Sequence, residues 1–101
     1  MKKIINGKKY DTDTAKEICA CSNGLYSGIY GYKEVLYKKR TGEFFLYGEG
    51  GAGSKYGVYV GNNSYTSGEE IKPFTEAEAR KWMERHATVE EYEALFGTVD
   101  E

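Results

Sequence analysis

Gly48-Glu49-Gly50-Gly51-Ala52-Gly53 fits the spacing G-x-G-x-x-G, and a strand-like segment precedes it. Dinucleotide binding at such a motif needs a helix N-terminus directly afterwards, where the pyrophosphate meets free backbone amides. Here Ser54-Lys55-Tyr56-Gly57-Val58 follows, which is β-like, and the order Gly53-Ser54-Lys55 also misses the Gly-Lys-Ser/Thr of a phosphate loop. The segment therefore predicts a loop between strands, in which glycines allow sharp turns or the close approach of a partner. Nucleophilic catalysis needs a serine or cysteine beside a base that a third group holds in place. The single histidine, His86, falls on the apolar stripe near a helix end, where it is expected to cap carbonyls or pack against Trp82. Cys19 and Cys21 form C-x-C rather than C-x-x-C, and no second Cys/His pair follows. In the helix expected around them, side chains two apart point about 200° from each other, so both read as small buried fillers rather than as a bridge. Glu69-Glu70 and Glu90-Glu91 are neighbours in sequence, and adjacent residues on a helix do not face each other. They read as solvated faces. No catalytic, metal-ligating or cofactor-binding residues are expected, and the chain is expected to bind rather than to react.

Binding has a clearer signature. Lys33, Tyr37, Lys38, Lys39, Arg40, Tyr47, Lys55, Tyr56 and Tyr59 interleave cations with aromatic rings, and they are expected to gather on one sheet and its loops. Aromatic rings offer stacking platforms and cations offer phosphate contacts, the combination used at single-stranded RNA sites. Tyrosine is equally a residue of protein interfaces, because it contributes large area at low entropic cost. With ten tyrosines in 101 residues, some belong to the core with hydroxyls reaching outward, and the rest predict a functional surface.

The elements that would position these residues can be read from period and turn chemistry. Lys3-Ile4-Ile5, Asn6-Gly7 and Lys8-Lys9-Tyr10 predict a short hairpin, since both turn positions tolerate φ > 0. Asp11 or Thr12 is expected to cap a helix carrying Ala15, Ile18 and Cys19 at i, i+3 and i+4, with Gly24 as its left-handed stop. The Gly/Tyr-rich stretch 25–32 is compatible with a loop or an irregular strand. Glu34–Lys39 alternates, with Val35 and Tyr37 on one face and Glu34, Leu36 and Lys38 on the other. It is followed by the turn Arg40-Thr41-Gly42 and a returning strand over 43–47. A further strand is expected over 56–60 and a short edge strand over 70–72, stopped by Pro73. Thr75-Glu76-Ala77-Glu78 and Thr88-Val89-Glu90-Glu91 are capping boxes, so the C-terminal third predicts two helices with a sharp turn between them. Their apolar stripes are Ala79, Trp82, Met83 and His86, then Val89, Tyr92 and Phe96. The expected fold is α+β: a small antiparallel sheet of about three to five strands, including a central hairpin, packed with one N-terminal and two C-terminal helices. Residues 1–101 are read as a single domain.

Charge is distributed unevenly. Residues 1–68 hold ten Lys/Arg against six Asp/Glu, while residues 69–101 hold four against ten, so a +4 segment precedes a −6 segment and the formal net charge is −2. Such a split is compatible with a basic nucleic-acid face beside an acidic protein-facing one, and equally with acidic residues on the solvent faces of the C-terminal helices. No apolar run approaches the roughly 18 residues that span a bilayer, and the basic start MKKIINGKKYD lacks the apolar core of a secretory signal. A cytosolic protein is expected. Tyrosine-rich strand edges are also compatible with edge-to-edge pairing of two copies.

The segments MKKIINGKKYDTDTAKE, LYKKRTGEFFLYGEGG, SKYG, FTEAEARKWMERH and VEEYEALFG span nearly the whole chain. Through them it resembles a family of small proteins of Firmicutes phages and mobile elements. Some proteins that look like this are anti-CRISPR inhibitors of the type II effector nuclease, acting on the guide-RNA-loaded enzyme or on its assembly. The resemblance implies stoichiometric binding to the bacterial effector nuclease, its guide RNA or both, in the cytoplasm of the host, and it brings no catalytic motif. In that setting Glu84, Glu90, Glu91 and Glu93, together with Glu76, could mimic phosphates in the enzyme's basic channel, or the Lys/Tyr hairpin could contact the guide. The alternative is a small adaptor of a mobile element that binds nucleic acid or another protein.

Overall fold

The computed structural model of the protein describes residues 1–24 and 28–100. In the described residues the chain is α+β, with eight strands in three antiparallel sheets followed by two helices. The strands are β1 (Lys2–Ile5), β2 (Lys8–Asp11), β3 (Lys16–Asn23), β4 (Tyr32–Lys38), β5 (Phe44–Gly50), β6 (Val58–Gly61), β7 (Ser64–Thr66) and β8 (Gly68–Phe74). The helices are α1 (Glu76–His86) and α2 (Val89–Phe96). Strands β3, β4, β5 and β8 form the central sheet in the order β3-β4-β5-β8, while β1-β2 and β6-β7 are separate hairpins.

The expected N-terminal helix is absent, and β3 stands in its place. Asp11 does start a turn: its carboxylate accepts from the Asp13 amide at 2.9 Å and its carbonyl from the Ala15 amide at 3.1 Å. That single turn does not propagate, because from Lys16 onward every position that pairs does so with β4. A β-bulge between Glu17 and Cys19 lets the consecutive residues Ile18 and Cys19 pack into the same apolar cluster. Two neighbouring apolar residues on one side look like the i+3, i+4 step of a helix, and this is what the helical stripe was reporting. In a strand, residues two apart share a face, so Cys19 and Cys21 lie on the same side rather than opposed, and both pack against that cluster. They are free thiols.

The central hairpin forms as expected, with Leu36 opposite Leu46 and Tyr37 opposite Phe45. The strand expected over 56–60 starts only at Val58, and the edge strand is longer than expected, running through Pro73 opposite Phe45. Proline is tolerated there because β8 lies at the edge of the sheet. Of the stretch 25–32, residues 25–27 lie outside the described residues and Tyr32 opens β4.

Alternation sorts the sheet into two faces. Leu36, Phe44 and Leu46 join Cys19 beneath Ala79, Trp82 and Met83 of α1. On the opposite face Phe45, wholly buried, packs with Ile71 and with Tyr10 of the β1-β2 hairpin. Both capping boxes form, with Thr75 and Thr88 each accepting from the amide three residues on at 3.1 Å. On α2 the stripe is carried by Tyr92, Leu95 and Phe96, while Val89 is exposed.

Candidate functional site

The nine basic and aromatic residues do not form one surface. Tyr37 and Tyr47 lie on the β1-β2 side of the sheet, where Tyr37 stacks on Phe45 at 5.1 Å. The Tyr47 hydroxyl is 2.8 Å from a Glu49 oxygen and 2.6 Å from a Glu69 oxygen, and burial with these carboxylates pushes its pKa up. Lys38 and Tyr56 lie on the helix side: Lys38 sits over the Phe44 ring, and Tyr56 is buried. Lys39 covers the Tyr10 ring at 3.6 Å and reaches Glu43, Arg40 is exposed at the β4-β5 turn, and Lys33 is half-buried opposite Glu49. Tyr59 stands apart on β6. A continuous stacking platform flanked by phosphate-binding cations is not assembled.

The glycine-rich loop is likewise closed to phosphate. Gly48 and Gly50 belong to β5, and the amides of Gly51 and Gly53 donate to the carbonyls of Gly31 and Ile29 at 3.0 and 2.7 Å. Amides already committed to carbonyls cannot form an anion cradle. The loop instead turns the chain back over the sheet and drives Tyr56 inward. A Cβ on Gly48 would stand 1.9 Å from Cζ of Tyr56, so the bare strand at that point is what admits the ring.

Tyr56 reaches Glu34, which sequence reasoning left unmarked. Glu34 is wholly buried, on the same sheet face as Leu36. Its Oε2 accepts from the Tyr56 hydroxyl and from the Lys55 ammonium at 2.8 Å, and its Oε1 accepts from the Trp82 indole N–H at 3.3 Å. Burial would push the Glu34 carboxyl up, but hydrogen bonds from Lys55, Tyr56 and Trp82 outweigh it and hold it below the usual carboxylate range. Burial in turn would lower the Lys55 ammonium, and the Glu34 carboxylate more than compensates, leaving it raised. The signal available in the sequence was a glutamate in phase with Leu36 on an alternating strand.

The β6-β7 hairpin presents an exposed apolar surface. Asn62 and Asn63, both with positive φ, make its turn, and the Tyr59 and Tyr65 rings pack edge-on at 5.4 Å across the strands. Val58, Tyr59, Val60 and Tyr65 are all exposed, and none belongs to either apolar cluster. Residues 57–68 carry no charged side chain. The hairpin is a neutral, aromatic and valine-bearing arm, paired to no strand of the central sheet.

Comparison with protein-family models, curated proteins and solved structures finds no match. Geometry therefore carries the functional reading. Among the acidic candidates, Glu84 and Glu90 are exposed on the helices, Glu91 closes the second capping box, and Glu93 accepts from the Val99 amide at 3.0 Å. Two of the four are thus engaged in local structure. No helix among the described residues is long and apolar enough to cross a membrane.

Proposed function

We propose that this protein is a stoichiometric inhibitor of a type II RNA-guided nuclease, anchored to the enzyme through the β6-β7 arm. The observation that carries a binding role is the arm itself: four exposed apolar or aromatic residues on a projection without charge. Exposed tyrosine and valine on one projection mark a protein contact rather than a polyanion contact, and the dispersal of the basic residues favours protein over guide RNA in the same way. The family resemblance supplies the identity of the enzyme. The acidic α1-α2 surface, with Glu84 and Glu90 exposed, complements the basic channel that holds guide and target. Occupying that channel interferes with guide loading or with access of the target strand.

The test is cleavage of target DNA by a purified type II effector, with the protein added before or after guide loading. Inhibition at about one protein per enzyme in either order is expected for the wild type, with Tyr59→Ala/Tyr65→Ala weakening it at least tenfold while the far-UV spectrum is unchanged. Inhibition confined to addition before loading places the contact at guide assembly. Unimpeded cleavage in both orders overturns the proposal. An adaptor with a different protein partner would use the same arm, and capture of that partner by the wild type but not by the double variant would identify it.

A further inference from the structure

Three donors that sequence spacing keeps far apart meet beneath the first helix. Cys21 comes from β3, Glu34 from β4 and His86 from the last turn of α1, and one ligand atom from each lies within 4.8 Å of the other two. We propose that Cys21, Glu34 and His86 form a binding site for one divalent cation of the zinc class.

The donor set selects the ion. A thiolate and an imidazole favour zinc and its borderline-soft neighbours, whereas magnesium and calcium want oxygen alone. In a tetrahedral centre with bonds of about 2.0–2.3 Å, neighbouring ligand atoms stand roughly 3.3–3.8 Å apart. The widest of the three separations must therefore close by up to about 1–1.5 Å. His86 can supply that movement, because it is exposed at the helix end, where it packs against the Trp82 ring at 4.7 Å. Solvent access at His86 leaves the fourth position to water or to an incoming ligand.

The surroundings already resemble those of a ligating carboxylate. Metal-bound carboxylates are oriented by hydrogen bonds from an outer layer of residues, and Glu34 has such donors in the Trp82 indole and the Tyr56 hydroxyl. Lys55 holds Oε2 of the same carboxylate, so it competes with a cation for the charge of Glu34. Its ammonium balances the buried carboxylate, yet the side chain is about half exposed (48%) and also lies over the Tyr32 ring at 4.6 Å. Arrival of the metal displaces the ammonium from Glu34 and leaves Lys55 at the surface. The site thus has a lysine-neutralised form and a metal-neutralised form, which exclude each other.

Cobalt(II) is the probe, since thiolate ligation gives a near-ultraviolet charge-transfer band. The wild type is expected to bind one equivalent with that band. Cys21→Ser removes the band. His86→Ala, at an exposed position that leaves the fold intact, weakens binding at least about tenfold, the loss typical of even an outer partner. Lys55→Met strengthens binding by removing the competing ammonium, a result that a merely structural cluster would not give. Magnesium and calcium do not compete. Absence of the band at millimolar cobalt overturns the proposal, and so does a band of equal strength in Cys21→Ser and His86→Ala.

Discussion

Glu34 and Leu36 sit two residues apart on one strand face, and both are buried, although one carries a charge. The charge is tolerated because a cation and two neutral donors converge on it, and each depends on a different part of the fold: the glycine-rich loop, its inward tyrosine and the first helix. A buried carboxylate deprived of such partners would protonate instead. Because folding depresses this pKa, the stability it contributes is present above the ordinary carboxylate range and is lost as the pH falls from that range through the lower folded value. The raised pKa of Lys55 has the opposite sign, so its share persists until the pH rises through the lysine range. Glu34→Gln should therefore cost about 1–3 kcal/mol at neutral pH, the scale of an impaired buried hydrogen-bond network. It should also flatten the acid limb of the urea-midpoint profile between pH 7 and pH 3. An unchanged acid limb would mean that other carboxylates dominate it. The strand phase that puts Glu34 beside Leu36 was legible in the sequence. Its partners Trp82 and Tyr56 were not, since they lie 48 and 22 residues away and only the closed fold brings them in.

At the scale of elements, the contrast between β3 and the two helices shows which signals transfer from sequence. The capping boxes at Thr75 and Thr88 are self-contained: both partners lie within three residues, so the local pattern and the final structure agree. The turns at Asn6-Gly7 and Gly42 agree for the same reason, each having the positive φ that its residues permit. For β3 the deciding partner is β4, and the bulge disguised two core-facing neighbours as a helical stripe. The inward turn of Tyr56 was hidden likewise, because a valine-tyrosine alternation continues smoothly from Tyr56 into β6. Gly48 makes this inward turn possible, and Gly48→Ala tests it. With a Cβ in the path of the ring, Tyr56 must withdraw from Glu34, at a cost of about 2–3 kcal/mol or more. Denaturant unfolding measures the loss. A variant as stable as the wild type would show that the ring has another seat.

Across the whole molecule, the central sheet separates two layers of different charge. The β1-β2 hairpin, with Lys2, Lys3, Lys8 and Lys9, covers one face, while the helices bearing Glu76, Glu78, Glu84, Glu90, Glu91 and Glu93 cover the other. The basic hairpin and the acidic helices thus lie on opposite faces of the sheet, although Lys38 and Lys55 of the +4 segment lie on the helix side and Glu69 of the −6 segment reaches Tyr47 on the other. Complementary charge acts mainly on the rate of encounter. If the acidic side faces a basic nuclease, Glu84→Lys/Glu90→Lys should slow association severalfold at low salt and converge on the wild type as ionic strength rises. Surface plasmon resonance at two salt concentrations resolves this, and equal association rates at low salt would place the helices away from the contact.

The overall shape is drawn out, with extents of 51 × 33 × 20 Å and a radius of gyration of 14.9 Å, against about 13 Å for a compact chain of this length. The β6-β7 hairpin pairs with no strand of the central sheet, and its residues Tyr59, Val60, Asn62, Asn63 and Tyr65 belong to neither apolar cluster. Folding therefore constrains the tip weakly, and if the arm is the anchor proposed above, the partner constrains it strongly. An inhibitor anchored by this arm could then follow a changing target through substitutions confined to it, without reopening the sheet, the loop or the buried carboxylate.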